Sequence, residues 1–341
     1  MSRRGLLSTM HLTCFASCVR VGLAAQPRRP FTAARGGSSP RGRGGYRPPS
    51  DDYYSPPRGR SGDAVPSPDP YAGFEYVYGV SPVVAALRAR RREPNRLLLQ
   101  DSLCMAKRKD AAAIDELQRL AAEAGLPVVR TDKGFLNNRC LNRPHQGVVL
   151  ETGPLDFVPL GALPAAATAA PGAVWLALDE VSDPQNLGAL LRTALFLGVD
   201  GVLVSEKNSC PLTPAVSKAS AGAMEQLPVH CARNLVRALD AAREDGWQVV
   251  GAALDKRSVE PADLDAGAPT VLVLGSEGHG LRTNVLRACS GLVRIPRGPA
   301  AATEGAAAAA GDAELVDSLN VSVAGGILLW SLLAARRGGN I

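Results

Sequence analysis

LDEVSDPQNLGALLRTALFLGVDGVLV, residues 178–204, decides the fold. An apolar run from Val174 to Leu178 gives way to a polar turn, a helical pattern opens after Asn186 and closes at Gly198, and a second apolar run occupies Val202 to Val204. The order is strand, loop, helix, strand. Leu187, Leu190, Leu191, Ala194 and Leu195 recur at three- and four-residue spacing and predict the buried stripe of the helix. Arg192 falls off that stripe, in the second turn, near the loop that holds Asp183, Pro184 and Asn186. In an α/β sheet, ligands bind where a strand end hands over to such a helix start. On spacing alone, the stretch is equally an ordinary βαβ unit with an Asn cap and a solvated arginine.

Working outward, strands and helices keep alternating. Gly201 to Ser205, Gln226 to His230, Gln248 to Leu254, Val271 to Leu274 and Leu292 to Pro296 read as strands. Pro214 to Ala223, Asn234 to Asp245, Leu281 to Cys289 and Val321 to Ala335 read as helices, so the pattern predicts a mainly parallel sheet covered on both faces. Upstream, Tyr76 to Val80, Arg96 to Gln100, Pro127 to Thr131 and Gly147 to Glu151 read as shorter strands. Ser81 with Pro82 opens a helix to Arg90, in the preferred order of cap and first-turn proline, and Ala106 to Ala124 and Lys133 to Asn138 supply two more. This predicts a small α/β domain over residues 74–157, an Ala/Pro/Gly linker over 158–172 and a second α/β domain over 173–337.

The strand ending at Leu274 runs into Gly275-Ser276-Glu277-Gly278-His279-Gly280. Its G-x-x-G-x-G spacing differs from the dinucleotide fingerprint G-x-G-x-x-G, which excludes a nicotinamide oxidoreductase on that motif. Glycines after a buried strand still let backbone amides approach a ligand closely, although a tight turn with no ligand uses them too. Ser318, Asn320 and Ser322 stand just before the last apolar helix, where such residues are preferred caps.

D-x-V-x-D-P-x-N-x-G-A-x-x-R-T-A from Asp179 to Ala194, V-L-V-L-G-S-E-G-x-G from Val271 to Gly280 and S-L-N-V-S-V-A from Ser318 to Ala324 resemble, in order, the three motifs of the SpoU (TrmH) family of RNA ribose 2'-O-methyltransferases. The resemblance implies a SPOUT-class α/β domain with a C-terminal trefoil knot, S-adenosyl-L-methionine bound bent in the knot, and a site shared across a homodimer. No pattern argument supplies the knot, because threaded connections are nearly absent among proteins. The resemblance also puts Arg192 beside the ribose 2'-OH, with Asn186 orienting Arg192 or the ribose and Glu277 organising the arginine across the dimer. Ser318 and Asn320 would fix substrate and helix start, and backbone around Leu274, Gly275, Gly278, Ile295 and Leu319 would line the cofactor pocket. Arginine is effectively always protonated, so Arg192 suits phosphate binding and stabilisation of charge on the 2'-oxygen better than general-base work. A phosphate oxygen or water would then receive the proton. Residues 298–317, with an Ala-rich tract from Ala306 to Ala310, replace the family's shorter connection, so no role is carried over to Arg297.

Y-G-x-x-P-V-x-x-A-L from Tyr78 to Leu87 and H-Q-G-V from His145 to Val148 resemble the substrate-binding domain that precedes many SpoU catalytic domains and is similar to the ribosomal L30e and L7Ae fold. Its implied task is to hold RNA. Arg88, Arg90, Arg91 and Arg92, with Lys107, Arg108 and Lys109, sit at element ends within reach of a phosphate backbone, although a solvated charge run has the same look. Asn137, Asn138, Arg139, Asn142 and Arg143 form a polar loop that either contacts RNA or solvates the turn, and His145 reads as a packing residue.

Net charge is +6, but its distribution matters more. Residues 1–60 hold eleven Arg and two acids, whereas the rest has 27 basic and 30 acidic residues, so global basicity says little about what the folded part binds. Residues 1–35 are Arg- and Ser-rich, lack acids and predict a mitochondrial transit peptide, with a basic RNA-gripping tail as the alternative. The Gly/Pro/Arg-rich stretch 36–73 cannot bury enough apolar surface to fold and predicts a disordered linker. No apolar run reaches membrane-spanning length. Seven cysteines without a C-x-x-C pair and four scattered histidines argue against a disulfide scaffold or metal site. Together with the resemblance, these features point to 2'-O-methylation of a guanosine in mitochondrial large-subunit (16S-type) ribosomal RNA in the matrix. The competing reading is a ribosome-assembly factor that clamps RNA on the same scaffold without methylating it.

Overall fold

The computed structural model describes residues 73–103, 108–296 and 318–336. The expected transit peptide, residues 36–72 of the expected linker, Lys107 and the 298–317 insertion lie outside them. Four short strands, β1 (Glu75–Tyr78), β2 (Pro94–Gln100), β3 (Val128–Thr131) and β4 (Val148–Thr152), form a sheet in the order β1-β4-β2-β3. β4 runs antiparallel to both neighbours and β2 runs parallel to β3. Successive strand residues face opposite sides. Leu97 and Leu99 therefore pack with α1 (Val80–Ala89) and α2 (Ala111–Glu123), while Leu98 packs with Leu136 of α3 (Lys133–Arg139).

Two expected helix starts are corrected. Gly79, not Ser81, precedes α1; its φ of 95° favours glycine, and a Cβ there would lie 2.4 Å from Lys218 Nζ. The expected start at Ala106 lies outside the described residues; within them 108–110 are not helical, α2 begins at Ala111, and Arg108 folds onto Asp110 with Nε and Nη2 donating at 2.8 and 2.7 Å.

The second sheet has seven strands: β5 (Val158–Pro159), β6 (Val174–Leu178), β7 (Gly201–Ser205), β8 (Val229–Ala232), β9 (Gln248–Ala252), β10 (Thr270–Leu274) and β11 (Gly291–Val293). Their order is β11-β9-β10-β6-β7-β8-β5 and every pairing is parallel. Helices α4 (Pro184–Leu197) and α9 (Val321–Arg336) bury one face, where Leu176, Leu178, Leu272 and Leu274 meet Leu190, Leu191, Leu328 and Leu329. α5 (Pro214–Ala219) and α6 (Ala223–Gln226) follow β7, and α7 (Leu235–Glu244) and α8 (Thr283–Ala288) cover the other face over Trp175, Ala177, Val271 and Val273. Burial on both faces is why these strands read as unbroken apolar runs.

Details of this half differ from expectation. α4 starts at Pro184, capped by Asp183, whose carboxylate accepts from Gln185 N and Asn186 N at 3.3 and 3.0 Å, so Asn186 is not the cap. Leu197 is buried where Leu195 was expected; Leu195 is 36% exposed. The helix expected over 214–223 breaks into α5 and α6 at Ala221 and Gly222, with φ 52° and 88°. A Cβ on Gly222 would approach Ala85 Cβ to 2.5 Å, so this break lets α1 come close. Within the expected linker, Val158 pairs with His230 at the sheet edge, and Pro164 O accepts from Trp247 Nε1 at 2.9 Å.

Two members of the arginine cluster expected to reach RNA, Arg91 and Arg92, are turned inward, whereas Arg88 and Arg90 are exposed. Arg92 is buried between α6 and the four-stranded sheet: Nε donates to Glu225 Oε2 at 2.7 Å, and Nη1 donates to Glu75 Oε2 at 2.8 Å and to Gly153 O at 3.0 Å. Ser217 Oγ donates to the other Glu225 oxygen at 2.6 Å. Arg91 Nη1 donates to the carbonyls of Met224, Glu225 and Leu227, and Arg88 Nε donates to Glu116 at 2.8 Å. A buried charge must find partners, and here the acceptors end α6. Removing one partner strands the other. We expect Arg92→Met to lower stability by about 3–5 kcal/mol and Arg92→Met/Glu225→Leu to recover part of the loss, read from urea denaturation midpoints.

Candidate active site

Strand order reverses at the β10/β6 pair, and the loops leaving β9, β10 and β11 meet the start of α9 at the C-terminal edge of the sheet. That edge is where open parallel sheets bind ligands. They enclose a cleft of about 500 Å³, within the roughly 300–1,000 Å³ range of small-molecule sites. Leu274, Ile295, Leu319 and Leu328 give it apolar walls, and Ser276, Glu277 and Ser318 give it polar ones.

The glycine loop is built by backbone contact. Ser276 N donates to Gly280 O at 3.0 Å and Gly280 N donates to Ser276 O at 2.9 Å, closing a five-residue turn. Gly280 takes φ 65°, and a Cβ on Gly275 would lie 2.1 Å from the Gly280 carbonyl carbon. Nothing but glycine fits at 275. The turn is anchored from β6: the buried Asp179 carboxylate accepts from Arg282 Nε at 2.8 Å and Arg282 N at 3.1 Å, and its Oδ1 lies 2.6 Å from Nη2. The hydrogen bond to Asp179 raises the Arg282 guanidinium further above its already high ordinary range.

Three residues from three separate stretches converge at the cleft. Asn186 Nδ2 donates to Glu277 Oε2 at 3.0 Å, Asn320 Nδ2 donates to Glu277 Oε1 at 2.9 Å and also to Asn186 Oδ1 at 3.0 Å. Asn320 Oδ1 meanwhile caps α9, accepting from Ser322 N at 2.9 Å and Val323 N at 3.4 Å. One carboxamide thus fixes both the helix start and the carboxylate.

Leu274, Gly275, Ile295 and Leu319, residues expected around the cofactor, line the cleft together with Glu277 and Ser318, the latter expected to fix substrate and helix start. Gly278 does not: it stands away from the lining, with nothing within 4 Å of a Cβ built on it, because the Ser276–Gly280 pairing turns the loop tip outward. Arg192 is exposed and makes no side-chain hydrogen bond or ion pair with any described residue. Asn186 was expected to orient Arg192 or the ribose; within the chain its carboxamide meets Glu277 and Asn320 and makes no hydrogen bond to Arg192. The sequence reading missed Arg282 as an anchor. Its signal was an arginine two residues after the glycine loop, whose buried partner lies 103 residues earlier.

Residues 173–304 match the family model described as SpoU rRNA Methylase family, and residues 76–158 match that described as RNA 2'-O ribose methyltransferase substrate binding. The human protein named rRNA methyltransferase 1, mitochondrial, is 39% identical over 284 residues, covering 79% of this chain and 75% of its own. The chain belongs to the SpoU rRNA methylase family. A Dictyostelium discoideum protein of the same name is 33% identical over 257 residues, covering 67% of this chain and 46% of its own. In fold, this SpoU methylase is similar to an AdoMet-bound rRNA methyltransferase from Sinorhizobium meliloti, with TM-score 0.58 and 24% identity over 79% of this chain and 89% of that one.

The protein is therefore an RNA methyltransferase, and S-adenosylmethionine is the cofactor of its family. The cleft fits that group: apolar walls suit an adenosine, and the polar side suits a charged amino-acid arm. Among the described residues no cluster of His, Cys, Asp or Glu could hold a metal ion, and no helix is long and apolar enough to cross a membrane.

Two substitutions test this construction. Gly275→Ala forces the backbone of Gly280 away, and we expect S-adenosylmethionine affinity to fall about tenfold or more by calorimetry while far-ultraviolet circular dichroism stays unchanged. Asn320→Asp keeps the α9 cap but sets a second carboxylate against Glu277. Affinity should drop at neutral pH and recover partly as pH falls and one carboxyl takes a proton.

Proposed function

We propose that this methylase transfers a methyl group to the 2'-oxygen of a guanosine ribose in mitochondrial large-subunit (16S-type) ribosomal RNA, as a step in mitochondrial ribosome biogenesis in the matrix. The observation that carries the reading is the junction of Asn186, Glu277 and Asn320 at the cleft, which links the three motifs of the family. The names of the human and Dictyostelium relatives support the mitochondrial rRNA assignment. The half over residues 76–158 is the RNA-holding, L30e-like domain of this proposal, in keeping with the family model it matches. The transit peptide of the proposal falls outside the described residues.

S-adenosylmethionine, when bound, supplies an electrophilic methyl on a sulfonium. The chain's part is to place a ribose hydroxyl in line with it and to favour loss of the hydroxyl proton, positioning that contributes up to roughly 7–11 kcal/mol in favourable cases. Glu277, Asn186 and Asn320 hold the loop and the two helix starts that frame the cleft. Arg192 supplies the fixed positive charge: it binds RNA phosphate and stabilises the negative charge growing on the 2'-oxygen, while a phosphate oxygen or water receives the proton.

We place Arg192 in a site shared across a homodimer. An apolar stripe on α9, with Val323 50%, Ile327 40% and Trp330 49% exposed, adjoins α4, where Phe196 is 86% exposed four residues after Arg192. Such a stripe suits a two-fold contact that would bring Arg192 to the partner's cleft. A trefoil knot belongs to the same proposal; α9 returns from beyond β11 to pack on α4, and Gly325 lets it sit against Leu190 and Leu274.

Transfer of labelled methyl from S-adenosylmethionine to large-subunit rRNA, with mapping of 2'-O-methylation, tests the reaction. We expect one modified nucleotide and a fall of at least about 100-fold with Arg192→Ala. Arg192→Lys keeps the charge but loses the planar fork, so it should not restore turnover. Methylation-free RNA binding by the purified wild type, including on precursor ribosomal particles, would overturn the reading. Trp330→Glu should convert dimer to monomer by analytical ultracentrifugation and lower methyl transfer with it.

A further inference from the structure

A second cavity, of about 720 Å³, opens in the four-stranded half, remote in sequence from the three catalytic motifs. Its wall carries three cationic side chains, Arg108, Lys133 and Arg143, and four carboxamides, Gln100, Asn137, Asn142 and Gln146. Arg108 is partly neutralised by Asp110, and Arg143 Nη1 donates to Tyr78 OH at 3.4 Å. Lys133 is exposed and has no carboxylate partner among the described residues. The excess charge is positive.

Two of the carboxamides, Asn137 and Gln146, are held in place. Gly147 N donates to His145 Nδ1 at 2.9 Å, so in the neutral ring Nε2 carries the proton and donates to Asn137 Oδ1, also at 2.9 Å. Burial first, and then the Lys133 and Lys218 ammonium groups, hold the His145 imidazole below its ordinary value and keep it in that neutral form. Asn137 Nδ2 has no acceptor among the described residues, which leaves it as a donor at the cavity wall. Gln146 Oε1 accepts from Val80 N at 3.3 Å and from Lys218 Nζ at 2.8 Å. Lys218 belongs to α5 of the seven-stranded half, so the wall of this cavity is fixed in part from the half that holds the cofactor cleft.

We propose that this cavity is a subsite for one unpaired nucleotide of the RNA substrate, with the phosphate on Lys133 and Arg143 and the base edge on Asn137 and Asn142. The inference rests on the RNA-methylation reading above and adds a second point of contact to it. A concave pocket of this size admits a splayed-out base, whereas duplex RNA presents a narrow major groove that side chains cannot read. Carboxamides offer donor and acceptor together, which suits base edges, and the unpaired Lys133 suits a phosphate. Because Lys218 ties Gln146 to the catalytic half, a nucleotide seated here sets the position of the RNA relative to the cleft.

The test uses the full chain, a large-subunit rRNA transcript, and the same transcript annealed to its complement. Lys133→Gln removes an exposed charge, and Asn142→Gly removes a carboxamide while suiting the positive φ of 58° there, so neither disturbs the core. We expect the pair together to weaken binding of the single-stranded transcript about tenfold or more and to reduce the slope of log affinity against log salt by about 1, with S-adenosylmethionine binding retained. Photocrosslinks from 4-thiouridine in the transcript should fall on the peptide spanning 133–147. Unchanged affinity and salt slope in the double variant, beside a wild type that binds and methylates RNA, would overturn the subsite alone. A wild type that binds no RNA and transfers no methyl overturns the functional reading and the subsite with it. Equal loss of affinity for the annealed duplex would also overturn the subsite, since it assigns the pocket to an unpaired base.

Discussion

The parallel pairing of β10 beside β6 is the constraint on which the rest of the catalytic half depends. Its register sets Leu274 opposite Leu178, so the two chains leave the sheet side by side and Asp179 N donates to Leu274 O at 2.8 Å. From that point Asp179 can hold Arg282, which fixes the far end of the glycine loop. Asn186, one turn into α4, then reaches Glu277 in the same loop. A sheet that placed any other strand between these two would separate the loops by at least one strand spacing, roughly 4.8 Å, and the hydrogen bonds would be lost. The third contributor, Asn320, joins because α9 packs back over α4 and β10, where Gly325 leaves room for Leu190 and Leu274.

Charge is used differently in the two halves. Near the junction, Arg91 and Arg92 are consumed by structure: their guanidinium groups saturate the carbonyls that end α6 and the buried carboxylate of Glu225. Buried ion pairs are weak sources of stability but they fix geometry, since a shift in either partner leaves a charge unsatisfied. The outcome is a defined relation between the two sheets, reinforced by the contact of Lys218 with Gln146 and by the close approach of Gly222 to α1. Lys133 and Arg192 have no such partners among the described residues and are among the cations available to meet phosphate.

The sequence by itself determined much of this protein. Apolar runs at Val174 to Leu178, Val202 to Val204 and Val271 to Leu274 and the leucine spacing of α4 are local patterns, and they placed a parallel sheet with helices on both faces. Four cleft residues, Leu274, Gly275, Ser318 and Leu319, lie within the quoted motifs, and Ile295 entered only through the family resemblance. Tertiary structure decided what local pattern cannot carry. Asn186 looks like a cap in sequence, but Asp183 takes that task and frees the Asn186 carboxamide for a residue 91 positions away. Gly278 looks equivalent to Gly275, yet the hydrogen-bonded closure of Ser276 on Gly280 puts one in the packed wall and the other at an open tip. The Arg88 to Arg92 run looks like a surface for RNA, and only the docking of α6 against α1 reveals the acceptors that take up two of its members, Arg91 and the buried Arg92. In each case the residue type was readable because it follows from local backbone chemistry, and its role was not, because the partner is supplied by strand order and helix packing over long sequence separations.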